Sequence, residues 1–554
     1  MKEWLIIIET KLVSSLTKVF ADEDLTEPYV SFASALLGET YSFQVAYRSD
    51  KLVKQMKVEI HSQLNVTARV VGLVPSEYPC HFDYDDHTLR HTPGLYPDPL
   101  FPIVEEEGLT AFPNQWRSIW ITVDIEQDAR PGDHQIDITL ICTNGDHFKE
   151  TFQLNFIDAN LPEQEVIHTE WLHTDCIASI YQLEIFSDKY WDTVEKYVKT
   201  AADHHINMIL TPLFTPPLDT EIGRERPTVQ LVDVTKEGEK YTFHFEKLLR
   251  WFKMCQNNGI RYFEFSHLFS QWGAKHPPKI IGNVNGKKQK LFGWETDATS
   301  QDYRLFLAQF LPALIQLLEE SDLTDYCYFH ISDEPRMEHL ESYTNASRVM
   351  NDYLGDLPVI DALSDYAFYE KGLIKNPVSA NDHITPFLEN NVPGLWTYYC
   401  TSQYKEVSNR FFNMPSSRNR ILGMQLYKFN LQGFLHWGFN FWYSSFSKKI
   451  IDPFRNTDAN YSFPSGDAFL VYPGENGPIE SLRLEVLREA FQDHSALQLL
   501  ESYIGREQTL DLLENDLKKP LTFNHYPKEA AWLLAKRDEI NERIKLEINV
   551  HTHK

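Results

Sequence analysis

The sequence predicts a multidomain protein in which an all-β N-terminal β-sandwich is followed by a (β/α)8 TIM-like barrel of the α/β class and a helical C-terminal tail. Three observations lead to this prediction. The chain has 554 residues, which is more than one hydrophobic core usually serves. A strand-only pattern changes near residue 160 to alternating strands and helices, and the end of the chain carries helical patterns alone. The predicted domains are residues 1–160, 165–500 and 501–554.

The N-terminal part consists of apolar or alternating segments separated by Gly, Pro, Asp and Asn. Alternation is typical of half-buried strands, and these four residue types favour turns. The predicted strands are YSFQVAYRS (41–49), KVEIHSQL (57–64), RSIWITVDIE (117–126), GDHQIDITLIC (132–142) and FKETFQLNFID (148–158). No helix interrupts the later strands, so we predict a β-sandwich, with ANLPEQ (159–164) as the linker to the next domain.

Short apolar strands then alternate with amphipathic helices. The predicted strands are VIHTEWLH (166–173), NMILTP (207–212), IRYFEFSH (260–267), YCYFHIS (326–332), LPVIDAL (357–363), a weak sixth unit near DHITPFLEN (382–390), GLWTYYC (394–400) and GFLHWGF (433–439). The predicted helices span residues 190–205, 244–257, 301–319, 337–353 and 420–431, and another begins near Pro478. About eight such units favour a closed parallel barrel over an open sheet. The helical segments 505–523 and 527–545 are predicted to pack on its outside.

The net charge of −27 argues against two classes of partner. It repels phosphate backbones and anionic membrane surfaces, so we predict neither nucleic acid nor membrane binding. The apolar run at residues 4–8 lies between Glu3 and Glu9 and is too short and too acidic for a signal peptide or a membrane helix. The six cysteines are far apart without a CxxC spacing, which fits reduced thiols. We therefore expect a cytoplasmic protein.

The segment CYFHISDEPR (327–336) delivers two adjacent carboxylates, Asp333 and Glu334, at the end of the fourth predicted barrel strand. Composition alone predicts roughly eleven adjacent acidic pairs by chance, so the position of this pair carries the argument. Active sites of this fold lie at the C-terminal ends of the strands. Neighbouring strand residues point to opposite faces, so both acids can share a pocket only where the backbone bends, and we expect Pro335 to provide that break. An acidic helix N-terminus stabilised by the helix dipole explains the spacing equally well.

Polar and aromatic residues crowd the ends of the other predicted strands. They are Glu170, Trp171 and His173 after the first strand, Glu264, Ser266 and His267 after the third, and His436, Trp437, Asn440, Trp442 and Tyr443 after the eighth. Sugar rings present C–H faces to aromatic rings and hydroxyls to amides and carboxylates. The cluster therefore favours a carbohydrate pocket, although each aromatic residue alone fits ordinary barrel packing equally well.

Four further motifs carry a resemblance to a known family: SHLFSQWGAKHPPKI (266–280), FGWET (292–296), HISDEP (330–335) and GDAFLVYPG (466–474). They resemble the domain-of-unknown-function family 4091, which is similar to the catalytic domain of glycoside hydrolase family 123, the β-N-acetylgalactosaminidases. The segment PGLYPDPL (93–100) also looks like the β-sandwich half of such proteins, so the resemblance spans residues 40 to 500.

The resemblance implies a retaining, substrate-assisted glycosidase acting on terminal β-linked N-acetylhexosamine, with N-acetylgalactosamine first among the candidates. It maps Asp333 onto the residue that holds the 2-acetamido group and Glu334 onto the general acid/base. Tyr398 is expected to hydrogen-bond the same acetamide, and Trp396 or Trp437 to floor the pocket. The expected partner is a small oligosaccharide or glycoside, and no cofactor or metal is expected.

The remaining predicted substrate-binding residues lie at other strand ends. Gln271 and Trp272, in the loop after the third strand, are expected to contact sugar hydroxyls, and Asn440 is expected to do the same. His267 is a further candidate, although a histidine at a strand end is often a hydrogen-bonded structural group. The motifs leave open the configuration at C4 of the sugar, the aglycone and the oligomeric state.

Three alternatives stay open from the sequence. One is a conventional retaining glycosidase in which Glu264 or Glu170 is a covalent nucleophile and Glu334 the acid. Another is a carbohydrate-binding protein without catalysis. The least favoured is a metal-dependent hydrolase that uses His204 and His205, since neither HExxH nor a comparable ligand spacing is present.

Overall fold

The structure is a computed structural model, which describes residues 7–552. Its N-terminal region is rich in sheet, as the sequence predicts. The ten strands are β1 (Ile8–Ser14), β2 (Phe32–Leu37), β3 (Thr40–Ser49), β4 (Val53–His61), β5 (Asn65–Ser76), β6 (Gly94–Pro102), β7 (Leu109–Ala111), β8 (Arg117–Asp124), β9 (Gly132–Ile141) and β10 (His147–Asn160). Of the apolar run at residues 4–8, Ile8 begins β1, whereas residues 4–6 lie outside the described residues.

These strands form two five-stranded sheets, in the orders β1-β3-β8-β5-β6 and β2-β10-β9-β4-β7. Side chains from both sheets share one apolar core. Phe43 of β3 stacks on Phe152 of β10, with 4.0 Å between the ring centroids. The inward-facing apolar residues of the alternating pattern therefore meet between the sheets.

Eight parallel strands follow: β11 (Ile167–Glu170), β12 (Met208–Thr211), β15 (Tyr262–Phe265), β18 (Cys327–Tyr328), β19 (Ile360–Leu363), β20 (Asn376–Ala380), β21 (Trp396–Tyr398) and β22 (Gly433–His436). Their order is β18-β15-β12-β11-β22-β21-β20-β19. The two end strands are joined by a parallel bridge between Phe329 and Val359, which leaves a nearly closed barrel. The sixth strand precedes the segment DHITPFLEN, which instead supplies a helix.

Helices connect the strands and form the C-terminal tail. They are α1 (Thr174–Tyr181), α2 (Asp188–Asp203), α3 (Glu246–Asn257), α4 (Gln301–Glu320), α5 (Leu340–Leu354), α6 (Ala367–Glu370), α7 (Thr385–Glu389), α8 (Ser416–Lys428), α9 (Leu482–Ile504), α10 (Arg506–Glu514) and α11 (Ala530–Thr552). None of the helices between residues 7 and 552 combines the length and the hydropathy needed to cross a bilayer.

Six shorter strands lie outside the barrel sheet. The sheet β14-β13-β16-β17 and the hairpin β23-β24 contain β13 (Asp233–Glu237), β14 (Lys240–His244), β16 (Ile280–Val284), β17 (Lys287–Phe292), β23 (Val471–Gly474) and β24 (Gly477–Glu480). The sequence did not indicate them, because strands such as KKQKLF are polar and expose most of their residues. The last helix of the barrel begins at Leu482, since Pro478 belongs to β24.

A common apolar core joins the N-terminal sheets, the barrel helices and the tail. Trp120 of β8, Leu482 of α9 and Leu533 of α11 belong to it. Helices α8 and α9 approach so closely that a Cβ on Gly423 would lie 1.8 Å from the Ala490 carbonyl oxygen. The domain boundaries at residues 160 and 500 stay predictions.

Candidate active site

Asp333 and Glu334 line one cavity at the C-terminal end of the barrel, with an empty volume of about 650 Å³. Other lining residues come from the ends of the neighbouring strands and from the loops that follow them. They are Trp171, His173, Leu218, Asp219, Gln271, Trp272, Ala362, Tyr398, Cys400, Thr401, Leu435, Trp437, Phe441 and Phe463. Of the nine predicted site residues, six therefore meet in this cavity: Asp333, Glu334, Tyr398, Gln271, Trp272 and Trp437.

The backbone at the acidic pair bends as the shared cavity requires. Glu334 has a φ of 45°, in the left-handed region that few residues other than glycine adopt. Its N–H donates to the Ala362 carbonyl oxygen at 3.1 Å, and the Asp333 carbonyl oxygen accepts from the Trp272 N–H at 3.2 Å. Pro335 does not start the next helix, because α5 begins at Leu340 after a 3-10 turn. The segment that follows β18 therefore carries the acidic pair in a left-handed bend rather than at a helix N-terminus.

Gln271 holds the carboxylate of Asp333. Its Nε2 donates to Asp333 Oδ2 at 2.6 Å, while its Oε1 accepts from the Asp219 N–H at 2.7 Å. The Asp219 N–H determines the orientation of the amide, so the donor end faces Asp333. Burial and the neighbouring Glu334 raise the pKa of Asp333 well above its usual range, against the opposing effects of Gln271 and His330. This shift favours the protonated form of Asp333 at a pH where an isolated aspartate would be ionised.

Tyr398 contacts the other acid. Its hydroxyl donates to Glu334 Oε1 at 2.8 Å. Burial and the Glu334 carboxylate raise the pKa of Tyr398 well above its usual range, so it stays a neutral phenol and a hydrogen-bond donor. Each acid of the pair thus has a separate polar partner, an amide for Asp333 and a phenol for Glu334.

A layer of buried charged side chains lies below Asp333 and Glu334. His330 Nε2 lies 2.5 Å from Glu264 Oε1, and its Nδ1 lies 3.1 Å from Asp361 Oδ1. Burial alone would lower the pKa of His330, but the bonds to Asp361 and Glu264 raise it to about 10. His330 is therefore an imidazolium that donates from both ring nitrogens. Tyr343 donates to the second oxygen of Asp361.

Glu264 also fixes the aromatic floor of the cavity. Besides His330, it accepts from Trp171 Nε1 at 2.7 Å and from the Thr169 hydroxyl. Trp171 lines the cavity, whereas Glu264 is fully buried below it. The Glu264 carboxylate is therefore occupied by three donors from the protein.

Trp437 is anchored by the motif GDAFLVYPG. Its Nε1 donates to Asp467 Oδ2 at 3.1 Å, and its ring makes edge contacts with Phe441 and Phe463. Burial raises the pKa of Asp467 to about 7. The motif therefore acts from outside the cavity, by positioning an indole that lines it.

A family model described as the glycoside hydrolase 123 catalytic domain matches residues 171–500. The chain belongs to glycoside hydrolase family 123. This family 123 enzyme is a glycosidase, so the alternative of a binding protein without catalysis is set aside. A comparison of the sequence with curated proteins returned no match.

Solved structures support the same fold. The chain superposes on a family 123 glycoside hydrolase from Clostridium perfringens, described in a study of glycolipid glycan hydrolysis, with a TM-score of 0.76 and 15% identity over 99% of this chain and 100% of that one. A Bacteroides ovatus GH5 xyloglucanase (9% identity, 83% of this chain and 98% of that one) and a Bacteroides vulgatus putative glycoside hydrolase (10%, 85% and 78%) have TM-scores of only 0.30 and 0.32. TM-scores this low do not show that these two proteins share the fold of this chain.

Three predicted substrate-binding residues of this glycosidase do not line the cavity. Trp396 lies in the barrel interior against Tyr328, because it is two residues before Tyr398 on the same strand and therefore about 6.6 Å deeper. Asn440 accepts from the His173 N–H at 2.8 Å and donates to the His173 carbonyl at 3.1 Å, which ties two loops together. His267 is buried beneath Trp171 and stacks on His330 at 4.1 Å.

The carboxylates proposed as covalent nucleophiles are also outside the cavity lining. Glu264 is held as described above. Glu170 forms a fully buried pair with Arg410, whose two terminal nitrogens lie 2.5 and 2.9 Å from its oxygens. Neither side chain is free to reach a sugar, since each is bonded in the layer below the cavity.

Asp219 lines the cavity but was not singled out from the sequence. Its Oδ2 accepts from the Phe446 N–H at 2.9 Å, and burial raises its pKa to about 6. The available signal was its position in the loop after the second barrel strand, in the segment TPPLDT, which carries no catalytic motif. The described carboxylates that line the cavity are therefore Asp219, Asp333 and Glu334.

One group of possible metal ligands occurs among residues 7–552, namely His267, His330 and Asp361. Both nitrogens of His330 are bonded to carboxylates, and the two imidazoles are stacked nearly parallel, 21° apart. Both His330 nitrogens are therefore already used as donors to carboxylates. His204 and His205 are not in this group, and His204 Nδ1 bonds the Thr200 carbonyl instead.

The position of Glu264 yields a test of its role. Glu264→Ala leaves the His330 imidazolium with one buried partner instead of two, so we expect the free energy of unfolding to fall by ~3–5 kcal/mol, as when a buried pair is broken. Urea unfolding measures this change. Glu338→Ala, on a side chain that is 70% exposed, serves as the control and should change little. A stable Glu264→Ala chain that loses turnover and recovers it with azide would instead identify Glu264 as a nucleophile.

Proposed function

We propose that this glycosidase removes a terminal β-linked N-acetylhexosamine, with N-acetylgalactosamine as the first candidate, by a retaining and substrate-assisted mechanism. The observation that carries the proposal is the entry of two adjacent carboxylates, Asp333 and Glu334, into one aromatic-lined cavity. The substrate class is a small oligosaccharide or glycoside. The Clostridium perfringens relative was described in a study of glycolipid glycan hydrolysis, which is compatible with a glycan of this kind.

In this mechanism the acetamide of the substrate replaces an enzyme nucleophile. Its carbonyl oxygen attacks the anomeric carbon while Glu334 gives a proton to the departing oxygen, and a cyclic oxazolinium forms. Water then opens this ring, with Glu334 accepting the proton. The anomeric carbon is inverted twice, so its configuration is retained.

Asp333 orients and stabilises the acetamide. Two neighbouring carboxylates cannot both ionise cheaply, and burial beside Glu334 favours the protonated form of Asp333. An acetamide N–H that donates to Asp333 favours its charged form, so this proton is released to the pair and resides on Glu334, where the acid is needed. Gln271 supports the ionised state because it already donates to Asp333 Oδ2.

The aromatic residues suit the faces of a pyranose ring. Trp171, Trp437 and Phe441 line the same cavity as the acidic pair, and the indole N–H groups of both tryptophans are bonded to carboxylates outside it. Trp437 is the partly exposed member of the three, so its apolar face is available to the C–H groups of a sugar.

The covalent alternative lacks a matching observation. Glu264 and Glu170 are both bonded below the cavity, and Asp219 is separated from Asp333 by the Gln271 amide that bonds both residues.

We also propose a cytoplasmic location. The six free thiols support it, and cell fractionation tests it.

The two acids are expected to fail differently when replaced. Glu334→Gln and Asp333→Asn should each lower turnover at least about a hundredfold, the usual contribution of general acid catalysis. An aryl leaving group that needs little protonation should partly rescue Glu334→Gln, whereas Asp333→Asn should impair good and poor leaving groups alike. Steady-state kinetics on aryl substrates of graded leaving-group pKa measures this, with circular dichroism to confirm folding. Equal losses independent of the leaving group would contradict the assigned roles.

The acetamide itself is the subject of the next prediction. Aryl β-N-acetylgalactosaminide or β-N-acetylglucosaminide should be cleaved with net retention, while the corresponding β-galactoside and β-glucoside should not be cleaved. A thiazoline analogue of the oxazolinium should inhibit more tightly than the substrate binds, because the site stabilises that charge and shape. Proton NMR of the first product gives the anomeric configuration. Efficient hydrolysis of a plain β-galactoside, or a glycosyl ester trapped on Asp219 or another carboxylate, would overturn substrate assistance.

Gln271→Ala tests the ionisation of Asp333 by pH. The Gln271 N–H stabilises charged Asp333, so its removal raises the Asp333 pKa further. Because the single proton of the pair is the one that Glu334 donates, kcat/KM falls as the pH rises through this pKa, and the alkaline limb of the variant should lie at higher pH than that of the wild type. Gln309→Ala is the matched control. It removes an amide on α4 that donates to the Glu239 carbonyl oxygen. A lower plateau with an unmoved alkaline limb would show that Gln271 acts without affecting Asp333 ionisation.

A further inference from the structure

Residues 77–85 of the N-terminal region, here called the rim segment, lie beside the mouth of the cavity. The segment follows β5 and contacts two barrel loops that contribute lining residues. Its Tyr78 carbonyl accepts from the Ser465 N–H at 3.0 Å, close to Phe463 of the lining, and His81 Nε2 lies 2.8 Å from the Thr401 carbonyl oxygen. The rim segment therefore bridges the loops that carry Thr401 and Phe463.

His81 is held rigidly between these loops. Because its Nε2 faces a carbonyl oxygen, that nitrogen carries the proton, and its Nδ1 accepts from the Tyr78 hydroxyl at 2.9 Å. Its ring also lies against Tyr404, with 4.2 Å between the centroids. Both nitrogens and the ring face of His81 are engaged, so the backbone of the next residue, Phe82, is firmly placed.

The acidic side chains of the rim segment are all paired. Asp83 accepts from Tyr404 at 2.8 Å and from Lys405 at 2.5 Å, and Asp85 accepts from both terminal nitrogens of Arg418 at 2.9 Å. Glu77 accepts from the Tyr461 hydroxyl at 2.9 Å. Lys405 and Arg418 therefore neutralise Asp83 and Asp85, whereas Glu77 accepts a hydrogen bond from a neutral phenol.

Phe82 is the contrasting member of the segment, since 94% of it is exposed to solvent. A phenyl ring left in water on a tethered segment gains free energy when it packs against apolar surface. The C–H face of a sugar ring is such a surface, and an aromatic ring provides it without requiring charge.

The rim segment lies on the Glu334 side of the cavity. Glu334 bonds Tyr398, and Thr401, which contacts His81, is three residues farther along the same loop. Asp333 is instead bonded to Gln271 and Trp272 on another wall. The departing oxygen must lie next to the acid that protonates it, so the leaving group extends from Glu334 toward the rim segment.

We propose that Phe82 forms the subsite for the leaving-group sugar, against whose ring it packs. The proposal rests on the role of Glu334 as the general acid. It makes the N-terminal region part of the active site and predicts a preference for saccharide leaving groups over small ones. The ligand is a neutral pyranose ring attached through the scissile bond.

The experiment compares leaving groups on one sugar. The aryl β-N-acetylgalactosaminide, β-N-acetylglucosaminide, β-galactoside and β-glucoside are first screened to find which sugar is cleaved. For that sugar, kcat/KM is measured on a β-linked disaccharide and on the β-glycosyl fluoride, whose one-atom leaving group cannot reach Phe82. Phe82→Ala should lower kcat/KM for the disaccharide about three- to tenfold, the range expected for an aromatic stacking contact, and leave the fluoride within about twofold. Phe82→Trp should restore the disaccharide value.

Phe32→Ala is the matched control, since Phe32 is a 57% exposed phenylalanine on β2. Because the screen chooses the sugar, a wrong N-acetylhexosamine assignment leaves this comparison intact. Equal losses on both substrates, or no loss on either, would overturn the subsite. A change in molecular mass of Phe82→Ala in solution, with unchanged disaccharide turnover, would assign Phe82 to self-association instead. Failure of the wild type to cleave any of the four sugars would overturn both proposals.

Discussion

The left-handed turn at Glu334 is the constraint on which the rest of the site depends. On a regular strand Asp333 and Glu334 would point to opposite faces, one into the barrel and one into the helical layer. The φ of 45° breaks that alternation and brings both carboxylates into one cavity. Such a conformation is costly for a residue with a Cβ, and it persists where surrounding contacts determine it. Here the contacts are backbone bonds to Ala362, on β19, and to Trp272, in the loop after β15.

Charge is arranged in layers along the barrel axis beneath this turn. His330 lies between Glu264 and Asp361, which come from the strands on either side of β18, so one imidazolium contacts two carboxylates in a fully buried layer. Trp171 links that layer to the cavity, because its indole N–H bonds Glu264 while the residue lines the space above. The acids at the surface of the cavity thus rest on a polar network whose donors are already used, and they are left as the groups available to a substrate.

The sequence predicted the elements that its patterns define. Helix α4 was predicted at residues 301–319 and spans Gln301–Glu320, because Ser300 caps its N-terminus and its apolar face is continuous. The acidic pair, Gln271 and Trp437 were found because a parallel barrel gathers its strand ends at one face. Depth along a strand was not predictable: Trp396 and Tyr398 both point inward, but only Tyr398 is high enough to line the cavity. Asn440 and His267 failed for a related reason, since a polar residue near a strand end bonds a loop or stacks in the interior as readily as it faces a ligand.

Long-range contacts escaped sequence reasoning for a different physical cause. Arg418 of α8 is fully buried and places all five of its N–H donors, two on Asp85 and three on the carbonyls of His87, Tyr404 and Val407. Burial would raise the pKa of Asp85, but the bonds to Arg418 lower it overall, so the pair is ionised. The two partners are 333 residues apart, and no local pattern in either segment indicates the other. Because a buried guanidinium without its carboxylate is strongly destabilising, this pair ties the N-terminal rim segment to the loop that carries Tyr404 and, through it, to the wall of the cavity beside Glu334. The barrel and the N-terminal region therefore jointly determine the geometry of the cavity wall beside Glu334. The strand pattern of the N-terminal region alone does not suggest this contribution.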